Sequence, residues 1–303
     1  MTLTEVPDVS TADPYPTRIS GDPELVERTE PTVWSTGRTG PIDSATLAGH
    51  DTRGHSIHPD LLSPAEVAAL CAEFDRLAAD SALAGDERLV VENDEVRTIF
   101  AVHGLSELVG ELVCDPRVLD RARQILGSDV YVHQSRATFL PAFEGRGHYW
   151  HSDFETWHAE DGMSRPRAVS MWLTLTDYDS QWGSGLMLMP GSQRTFVPCV
   201  GGTPPEHYRS ALANHEIGLP STEHLTNLAS AYGIDQFTGA AGTALLLDAN
   251  LMHGSANNIT PFPRAHLFVV FNSVENALAE PFAGTERRPE HMASRDYTPL
   301  RRE

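Results

Sequence analysis

The sequence predicts a mainly β protein with flanking helices, an α+β fold whose core is a double-stranded β-helix of the jelly-roll or cupin type. Short runs that alternate in hydropathy begin at Val130, and the segments 130–134 and 170–176 are examples. Helical periodicity lies mainly before residue 127. Many short strands with helices at one end are typical of a double-sheet jelly roll. The length of 303 residues is compatible with one domain of this class.

The chain is expected to consist of an arm and a single domain. Residues 1–45 are rich in Pro, Thr, Asp and Gly without sustained periodicity, which predicts an extended arm over the surface. The remainder, 46–303, is expected to form one jelly-roll domain. We expect a helical layer over 60–127 and a helical insertion over 203–240, the latter with a helix over 221–232.

The helical layer has the clearest local signals. Ser63 is suited to cap a helix, Pro64 suits the first helical position, and Glu66 completes a capping box. Two further helices are predicted over 105–113 and 116–126, the second ending at a glycine.

Composition limits the possible partners and compartment. A formal net charge of −20 and a pI near 5.0 argue against a nucleic-acid partner or an anionic membrane surface, because both require clustered Lys and Arg. The three cysteines, Cys71, Cys114 and Cys199, are odd in number and widely spaced, so no disulfide framework is expected. No secretory signal pattern or membrane-length apolar run occurs, which favours a cytoplasmic protein.

A candidate iron site centres on His151 and Asp153. On an extended segment, residues i and i+2 point to the same side and can bind one ion. His253 would complete a set of two imidazoles and one carboxylate, which holds non-haem Fe(II) on one octahedral face. Each of these residues lies at the end of a predicted strand, where β-barrel sites are built. Arg264, after a predicted turn, is expected to point into the same cavity and bind a carboxylate through two hydrogen bonds.

The residues around this site resemble a known family. The run 148–163, His-Tyr-Trp-His-Ser-Asp-Phe-Glu-Thr-Trp-His-Ala-Glu-Asp-Gly-Met, is similar to the signature of the ectoine hydroxylases, a branch of the phytanoyl-CoA-type dioxygenases. The likeness extends to 130–136, 186–192 and 271–278, and to the arm at 13–18. The resemblance therefore covers most of the chain.

The resemblance implies a cytoplasmic homodimer that uses Fe(II), 2-oxoglutarate and dioxygen to hydroxylate ectoine to 5-hydroxyectoine, a compatible solute of osmotic stress. It implies that His151, Asp153 and His253 hold the iron. The far carboxylate of 2-oxoglutarate would then meet Arg264. Ser170 is expected to donate to the same carboxylate, and Arg136 to serve either this carboxylate or that of the substrate.

Four further residues are candidate substrate contacts. Ectoine combines a delocalised cationic ring with a carboxylate. Trp157, placed on the side of Asp153 by two alternations of an extended chain, would offer its face to the cation, and Phe271 would close the other side. Gln134 and Thr156 are candidates for hydrogen bonds to the substrate.

Three departures from the family pattern keep alternatives open. Thr138 and Leu140 stand where the family usually carries an Asn and a Lys, and Ser164 stands where it usually carries a Pro. A cavity without that Lys has one cation fewer for a carboxylate. The same chemistry on another small amino or imino acid is therefore one alternative. A Zn-dependent hydrolase and a non-catalytic solute-binding jelly roll are the others.

Overall fold

The computed structural model describes residues 13–21, 23–35, 37, 39–178, 185–204, 206, 208, 218–284 and 286–302. Its strands are β1 Val26–Glu27, β2 His55–His58, β3 Leu89–Glu92, β4 Glu95–Phe100, β5 Val130–Leu140, β6 Ala168–Thr174, β7 Leu186–Leu188, β8 Thr195–Phe196, β9 Asp235–Gln236, β10 Ala244–Asp248, β11 His253–Ser255 and β12 Arg264–Ser273. Its α-helices are α1 Ser44–Arg53, α2 Pro64–Ala78, α3 Val102–Leu105, α4 Glu107–Cys114, α5 Pro116–Leu126, α6 Asp153–Thr156 and α7 Thr222–Tyr232.

Two antiparallel sheets face each other. The larger has seven strands in the order β2-β10-β6-β12-β5-β4-β3, and the smaller has three in the order β11-β7-β9. A buried cluster that includes Phe154, Trp172, Leu188 and Phe268 fills the space between the sheets. This arrangement confirms the predicted jelly-roll core with flanking helices.

The helices α2, α4 and α5 cover the outer face of the large sheet. Their apolar residues, among them Phe74, Leu112 and Leu119, pack with Met171 of β6 and Val269 of β12 in a second buried cluster. Residues on β6 and β12 therefore alternate between the helix-covered face and the face between the sheets. The large sheet is buried on both sides, which accounts for strands such as β6 that are buried at every position.

The predicted capping box at α2 is confirmed. The Ser63 hydroxyl accepts from the Glu66 N–H at 3.3 Å, and the Glu66 carboxylate accepts from the Ser63 N–H at 2.7 Å. The helix predicted over 116–126 is confirmed as α5, which ends at Gly127 with φ +64°. The helix predicted over 105–113 is confirmed as α4, which begins two residues later because the Ser106 side chain caps it by accepting from the Val109 N–H. The short helix α3 before it was not predicted.

The first half of the chain contains two elements that the sequence patterns did not predict. The first helix is α1, at the edge of the expected arm, where the Asp43 side chain accepts from the N–H groups of Ala45 and Thr46. The expected helical layer also contains the β3–β4 hairpin, which extends the large sheet by pairing with β5. The segment 98–100 of β4 pairs with β5, a long-range contact that satisfies backbone groups and that local periodicity does not reveal.

The second half agrees more closely with expectation. The helix predicted over 221–232 is confirmed as α7, with Ser221 as its cap and Gly233 after its end. Residues 205, 207 and 209–217 of the expected insertion lie outside the described residues. The division into an arm over 1–45 and one domain over 46–303 stays a prediction. No helix in the described ranges has both the length and the apolar character needed to cross a membrane.

Candidate metal centre

Backbone pairing brings the two candidate imidazole ligands together. His253 begins β11 of the small sheet, and His151 forms an isolated antiparallel bridge with it. The His151 N–H donates to the His253 carbonyl at 2.9 Å, and the His253 N–H donates back at 3.0 Å. The two ring centroids are consequently 4.3 Å apart. Residues distant in sequence thus become direct cross-strand neighbours, as predicted.

Asp153 completes the group. Its Oδ1 lies 3.7 Å from His151 Nε2, and its Oδ2 lies 4.0 Å from His253 Nε2. One donor atom from each of the three residues lies within 4.8 Å of the others, and this is the only such group of His, Cys, Asp and Glu found within the described part of the chain. Two nitrogens and one carboxylate oxygen are the donor set of a non-haem iron site.

Hydrogen bonds fix the orientation of each candidate ligand. His151 Nδ1 lies 2.7 Å from the Tyr149 carbonyl, and His253 Nδ1 lies 2.9 Å from the Leu251 carbonyl. Because a carbonyl only accepts, both Nδ1 atoms carry the proton and both Nε2 atoms present a lone pair towards Asp153. The group therefore has the tautomers that metal coordination requires.

The local backbone differs from the predicted extended segment. Ser152 is extended, but Asp153 begins the four-residue helix α6, which continues into a π-helical turn over Trp157–Asp161. The spacing of His151 and Asp153 still places both side chains together because only one extended residue separates them. Trp157 lies one helical turn beyond Asp153, so the alternation argument used to place it was wrong.

One face of the large sheet supports this group. Paired residues on neighbouring strands point to the same side. Val270 of β12 pairs with Gln134 of β5 on one side and with Ser170 of β6 on the other. Phe268 of β12 pairs in the same way with Arg136 and Trp172. The Ser170 hydroxyl donates to Asp153 Oδ2 at 3.3 Å, which places Asp153 over this face.

Arg264 is at the start of β12, on the same face as Phe268, four residues along the strand. Its side chain is buried, and burial lowers the pKa of its guanidinium. Nη2 donates to the Ala256 carbonyl at 3.2 Å, while the buried Nε has no hydrogen-bond partner in the described structure. No described carboxylate forms an ion pair with it. A buried guanidinium in this state fits a carboxylate ligand.

Arg136 of β5 is a second cation on this face, and it is half-buried. Its guanidinium carbon lies 4.4 Å from the Phe268 ring centroid, and burial lowers its pKa. Nη1 donates to Gln134 Oε1 at 3.0 Å, and Gln134 Nε2 donates to the Met292 carbonyl at 2.7 Å. Among the residues described, no carboxylate pairs with Arg136 either. The Gln134 amide is engaged at both ends, which orients Arg136.

The remaining predicted residues occupy different surroundings. Trp157 is buried between the sheets with its ring 5.3 Å from that of His133, and Thr156 is half-buried at the end of α6. The single hydroxyl proton of Ser170 is donated to Asp153, so in this geometry it is not directed at a bound carboxylate. The prediction for Phe271 is corrected: its side chain is fully buried in the helix-covered core, because it is an odd number of residues from Arg264 on β12.

An open cleft adjoins the site. Arg136, Thr138, Leu140 and His148 are among its lining residues. The His148 and His151 rings are 6.2 Å apart, and Leu140 pairs directly with Arg264. The Thr138 hydroxyl is buried with no hydrogen-bond partner among described atoms. Two of the three departures from the family pattern, Thr138 and Leu140, therefore line a cleft beside the candidate metal centre.

Two residues that support the arginines of the site, Phe268 and Tyr178, were not predicted from the sequence. Phe268 supports Arg136, and counting by two from Arg264 along the strand would have selected it instead of Phe271. The ring centroid of Tyr178 lies 5.9 Å from the Arg264 guanidinium carbon, and burial raises the pKa of the Tyr178 hydroxyl to about 12. Its hydroxyl is 3.1 Å from His266 Nδ1, and burial lowers the pKa of His266 well below its usual value. No local sequence signal identified Tyr178.

Comparisons with known proteins agree with this geometry. The family model described as phytanoyl-CoA dioxygenase matches residues 51–266. An ectoine dioxygenase of Nocardia farcinica is 56% identical over 294 residues, which cover 96% of this chain and 97% of that protein. A crystal structure of EctD from S. alaskensis with 2-oxoglutarate and 5-hydroxyectoine has a TM-score of 0.86 at 41% identity, covering 96% of this chain and 98% of that one. A structure of the same protein with bound Fe has a TM-score of 0.86 at 42% identity, with the same coverage. The chain belongs to the phytanoyl-CoA dioxygenase family.

Proposed function

We propose that this protein is an Fe(II)- and 2-oxoglutarate-dependent dioxygenase that hydroxylates ectoine to 5-hydroxyectoine. The observation that carries the proposal is the combination of a His-Asp-His group with a buried guanidinium, Arg264, and a half-buried one, Arg136, neither of which has an ion-paired carboxylate among the described residues. The co-substrate and the substrate each bring a carboxylate. The similarity to named ectoine dioxygenases supports this choice of substrate.

His151, Asp153 and His253 would hold the metal. Both imidazoles present Nε2 lone pairs, and Ser170 fixes the second oxygen of the carboxylate. Bound Fe(II), with 2-oxoglutarate and dioxygen, supplies the oxidant that inserts oxygen into an unactivated C–H bond, with succinate and carbon dioxide as the other products. The three residues would supply three ligands and would leave other positions on the metal for the co-substrates.

The two arginines would bind the two carboxylates. Arg264 has an unpartnered Nε beside Nη2, which suits two parallel hydrogen bonds to the far carboxylate of 2-oxoglutarate. Arg136 is held by Phe268 and Gln134 over the same sheet face and would serve the carboxylate of the substrate or of 2-oxoglutarate. The Arg264 guanidinium is buried and that of Arg136 is half-buried, so a bound carboxylate would neutralise a positive charge that water solvates poorly.

Three other residues would contact the substrate. Trp157 offers an aromatic surface for a delocalised cation, Thr156 a hydroxyl, and Gln134 an amide that also orients Arg136. The walls of the site are apolar between the sheets, which limits the access of water to the reacting carbon.

Leu140 supports a second candidate, the same reaction on another small amino or imino acid. It pairs with Arg264, and its side chain lines the cleft beside Arg136. Where the family usually has a Lys, Leu140 offers an apolar surface and no positive charge. Compared with ectoine, the preferred substrate would then carry more hydrocarbon and one negative charge fewer near Arg264. The test is a comparison of ectoine with small cyclic amino acids as substrates.

The first experiment is anaerobic addition of Fe(II) and 2-oxoglutarate, followed by oxygenated buffer with ectoine. Coupled formation of succinate and a product sixteen mass units heavier than ectoine is the expected outcome. Succinate without that product contradicts the choice of ectoine and leaves the dioxygenase. Neither product, from protein shown to contain iron, contradicts the dioxygenase and favours the hydrolase or solute-binding alternative.

We also propose that the protein is a cytoplasmic homodimer. The three cysteines are free in the structure, which suits a reducing compartment. The family resemblance alone supports the dimer. Size-exclusion chromatography with light scattering tests the dimer. A measured mass equal to that of one chain would contradict it.

A further inference from the structure

The segment that carries Asp153 contains an unusual concentration of buried charge. Glu155, Glu160 and Asp161 follow within eight residues and are 2%, 4% and 1% exposed. Buried carboxylates require ion pairs or hydrogen bonds to remain charged. The structure shows which residues form the ion pairs and hydrogen bonds to these carboxylates.

Glu155 is bound by the N-terminal arm. Arg18 Nε lies 2.6 Å from Glu155 Oε1, and Arg18 Nη2 lies 2.8 Å from Oε2, which is a two-point pairing. The Thr17 hydroxyl donates to Oε1 at 2.7 Å. Arg18 Nη2 also lies 3.3 Å from Glu160 Oε1, so one guanidinium spans α6 and the following π-helical turn.

The pair is enclosed on its outer side. The Arg18 and Glu155 side chains are 1% and 3% exposed. Gly218 packs directly over them, with φ +74°, and an added Cβ there would lie 2.5 Å from Arg18 Nη2. Water therefore has little access to compete for these hydrogen bonds, and the pairing geometry is well defined.

The helix itself cannot fix the orientation of Asp153. α6 has four residues, and within it the Trp157 N–H donates to the carbonyls of Asp153 and Phe154. A single turn has little stability of its own. Its other anchors near Asp153 include the Phe154 N–H, which donates to the Ala249 carbonyl at 2.8 Å, and the Ser152 hydroxyl, which donates to Asn250 Oδ1 at 3.0 Å. The Ser170 hydroxyl binds the Asp153 carboxylate directly, and the Glu155–Arg18 pair holds the next turn.

We propose that Arg18 is a positioning residue for Asp153: by binding Glu155 at two points, it holds the turn that aims the carboxylate at His151 and His253. This proposal rests on the proposed metal function of the three residues. A purely structural ion pair would affect stability alone, whereas a positioning residue also affects metal affinity. Partners that orient metal ligands typically change affinity by about 10- to 100-fold when altered.

The test compares Arg18→Lys with the unaltered protein, using Co(II) alone as the probe. Lys keeps the charge beside Glu155 but replaces two-point binding by one-point binding. The Co(II) affinity and the visible absorption band are measured together with far-ultraviolet circular dichroism. We expect a folded variant with Co(II) affinity reduced about 10-fold or more and an altered band. Unchanged affinity and an unchanged band would overturn the proposal.

Arg167→Lys is the matched control. Arg167 also pairs with a carboxylate, that of Glu275 at 2.6 Å, and donates to the Leu126 carbonyl, but it contacts no residue of the Asp153 segment in the described structure. Its Co(II) affinity should equal that of the unaltered protein. If Arg18→Lys does not fold, Glu155→Gln replaces it, and affinity equal to that of the control overturns the proposal.

The experiment separates this inference from the proposed function. Asp153→Ala should abolish specific Co(II) binding. If the unaltered protein binds no Co(II), or if Asp153→Ala binds it equally well, the metal centre itself is wrong and the inference fails with it. If Asp153→Ala loses Co(II) while Arg18→Lys does not, the inference alone is wrong.

Discussion

The guanidinium of Arg136 lies over the ring of Phe268, its direct partner across β5 and β12, with 4.4 Å between the guanidinium carbon and the ring centroid. A desolvated cation–π contact contributes roughly 2 kcal/mol. Phe268→Leu should therefore raise, roughly 10-fold, the KM for the ligand whose carboxylate Arg136 binds, ectoine or 2-oxoglutarate, because that cation loses its support. Steady-state rates with each of the two varied at a saturating level of the other measure this effect.

Phe271→Leu is the matched control for that change. Phe271 lies three residues further along β12 but faces the helix-covered core. The substitution should lower the free energy of unfolding by about 1 kcal/mol and leave the KM for ectoine unchanged. A raised KM in Phe271→Leu, with none in Phe268→Leu, would contradict the assignment of the two faces.

Arg264→Met should raise the KM for 2-oxoglutarate by about 10- to 100-fold, since a hydrogen bond to a charged group contributes about 1.5–3 kcal/mol. Co(II) affinity should stay unchanged, because Arg264 is not among the three candidate ligands. Without co-substrate, the melting temperature should not fall, since the variant loses a buried cation that has no described carboxylate partner. An unaltered requirement for 2-oxoglutarate would refute the assigned role.

Asp153→Ala should abolish hydroxylation, and Ser170→Ala should reduce it in part. Asp153 is the one carboxylate of the group, whereas Ser170 only orients it through a 3.3 Å hydrogen bond. Removing such an orienting partner should weaken metal affinity by about 10-fold. Product yield and Co(II) titration check both variants. Full turnover by Asp153→Ala would rule out the three-residue metal centre.

The sequence allowed the metal centre to be predicted because its signals are local. His151 and Asp153 are separated by one residue, and His253 follows a short apolar strand. The prediction did not depend on the conformation of the segment after Asp153. That segment was predicted to be extended and is helical. Gly162, which ends the helical turns with φ +83°, was the available signal for helix over 153–161.

The contacts that support the site were not predictable in the same way. Arg18 and Glu155 are 137 residues apart, and the chain has 22 basic and 42 acidic residues, so composition alone leaves the pairing open. The helix α1 was missed although Asp43 and Gly54 provide its two caps, because its apolar face is weak and only His50 is buried. Long-range pairing and weak amphipathicity are the two reasons for these errors.

His50 provides a test of stability against pH. Its ring is fully buried, with Nδ1 3.0 Å from the Ser56 hydroxyl, and burial lowers its pKa to about 3. The unfolded chain takes up the proton near pH 6.5 whereas the folded protein does not, so stability is present above that pH and is lost as the pH falls. Between pH 7.5 and 5.0 this group should remove about 2 kcal/mol from the free energy of unfolding.

Asn at position 50 keeps a hydrogen-bonding group beside Ser56 but does not titrate. Urea unfolding of His50→Asn should therefore show a smaller loss over this interval, by about the same 2 kcal/mol. Equal losses in the two proteins would show that His50 is not the buried neutral group that the structure describes.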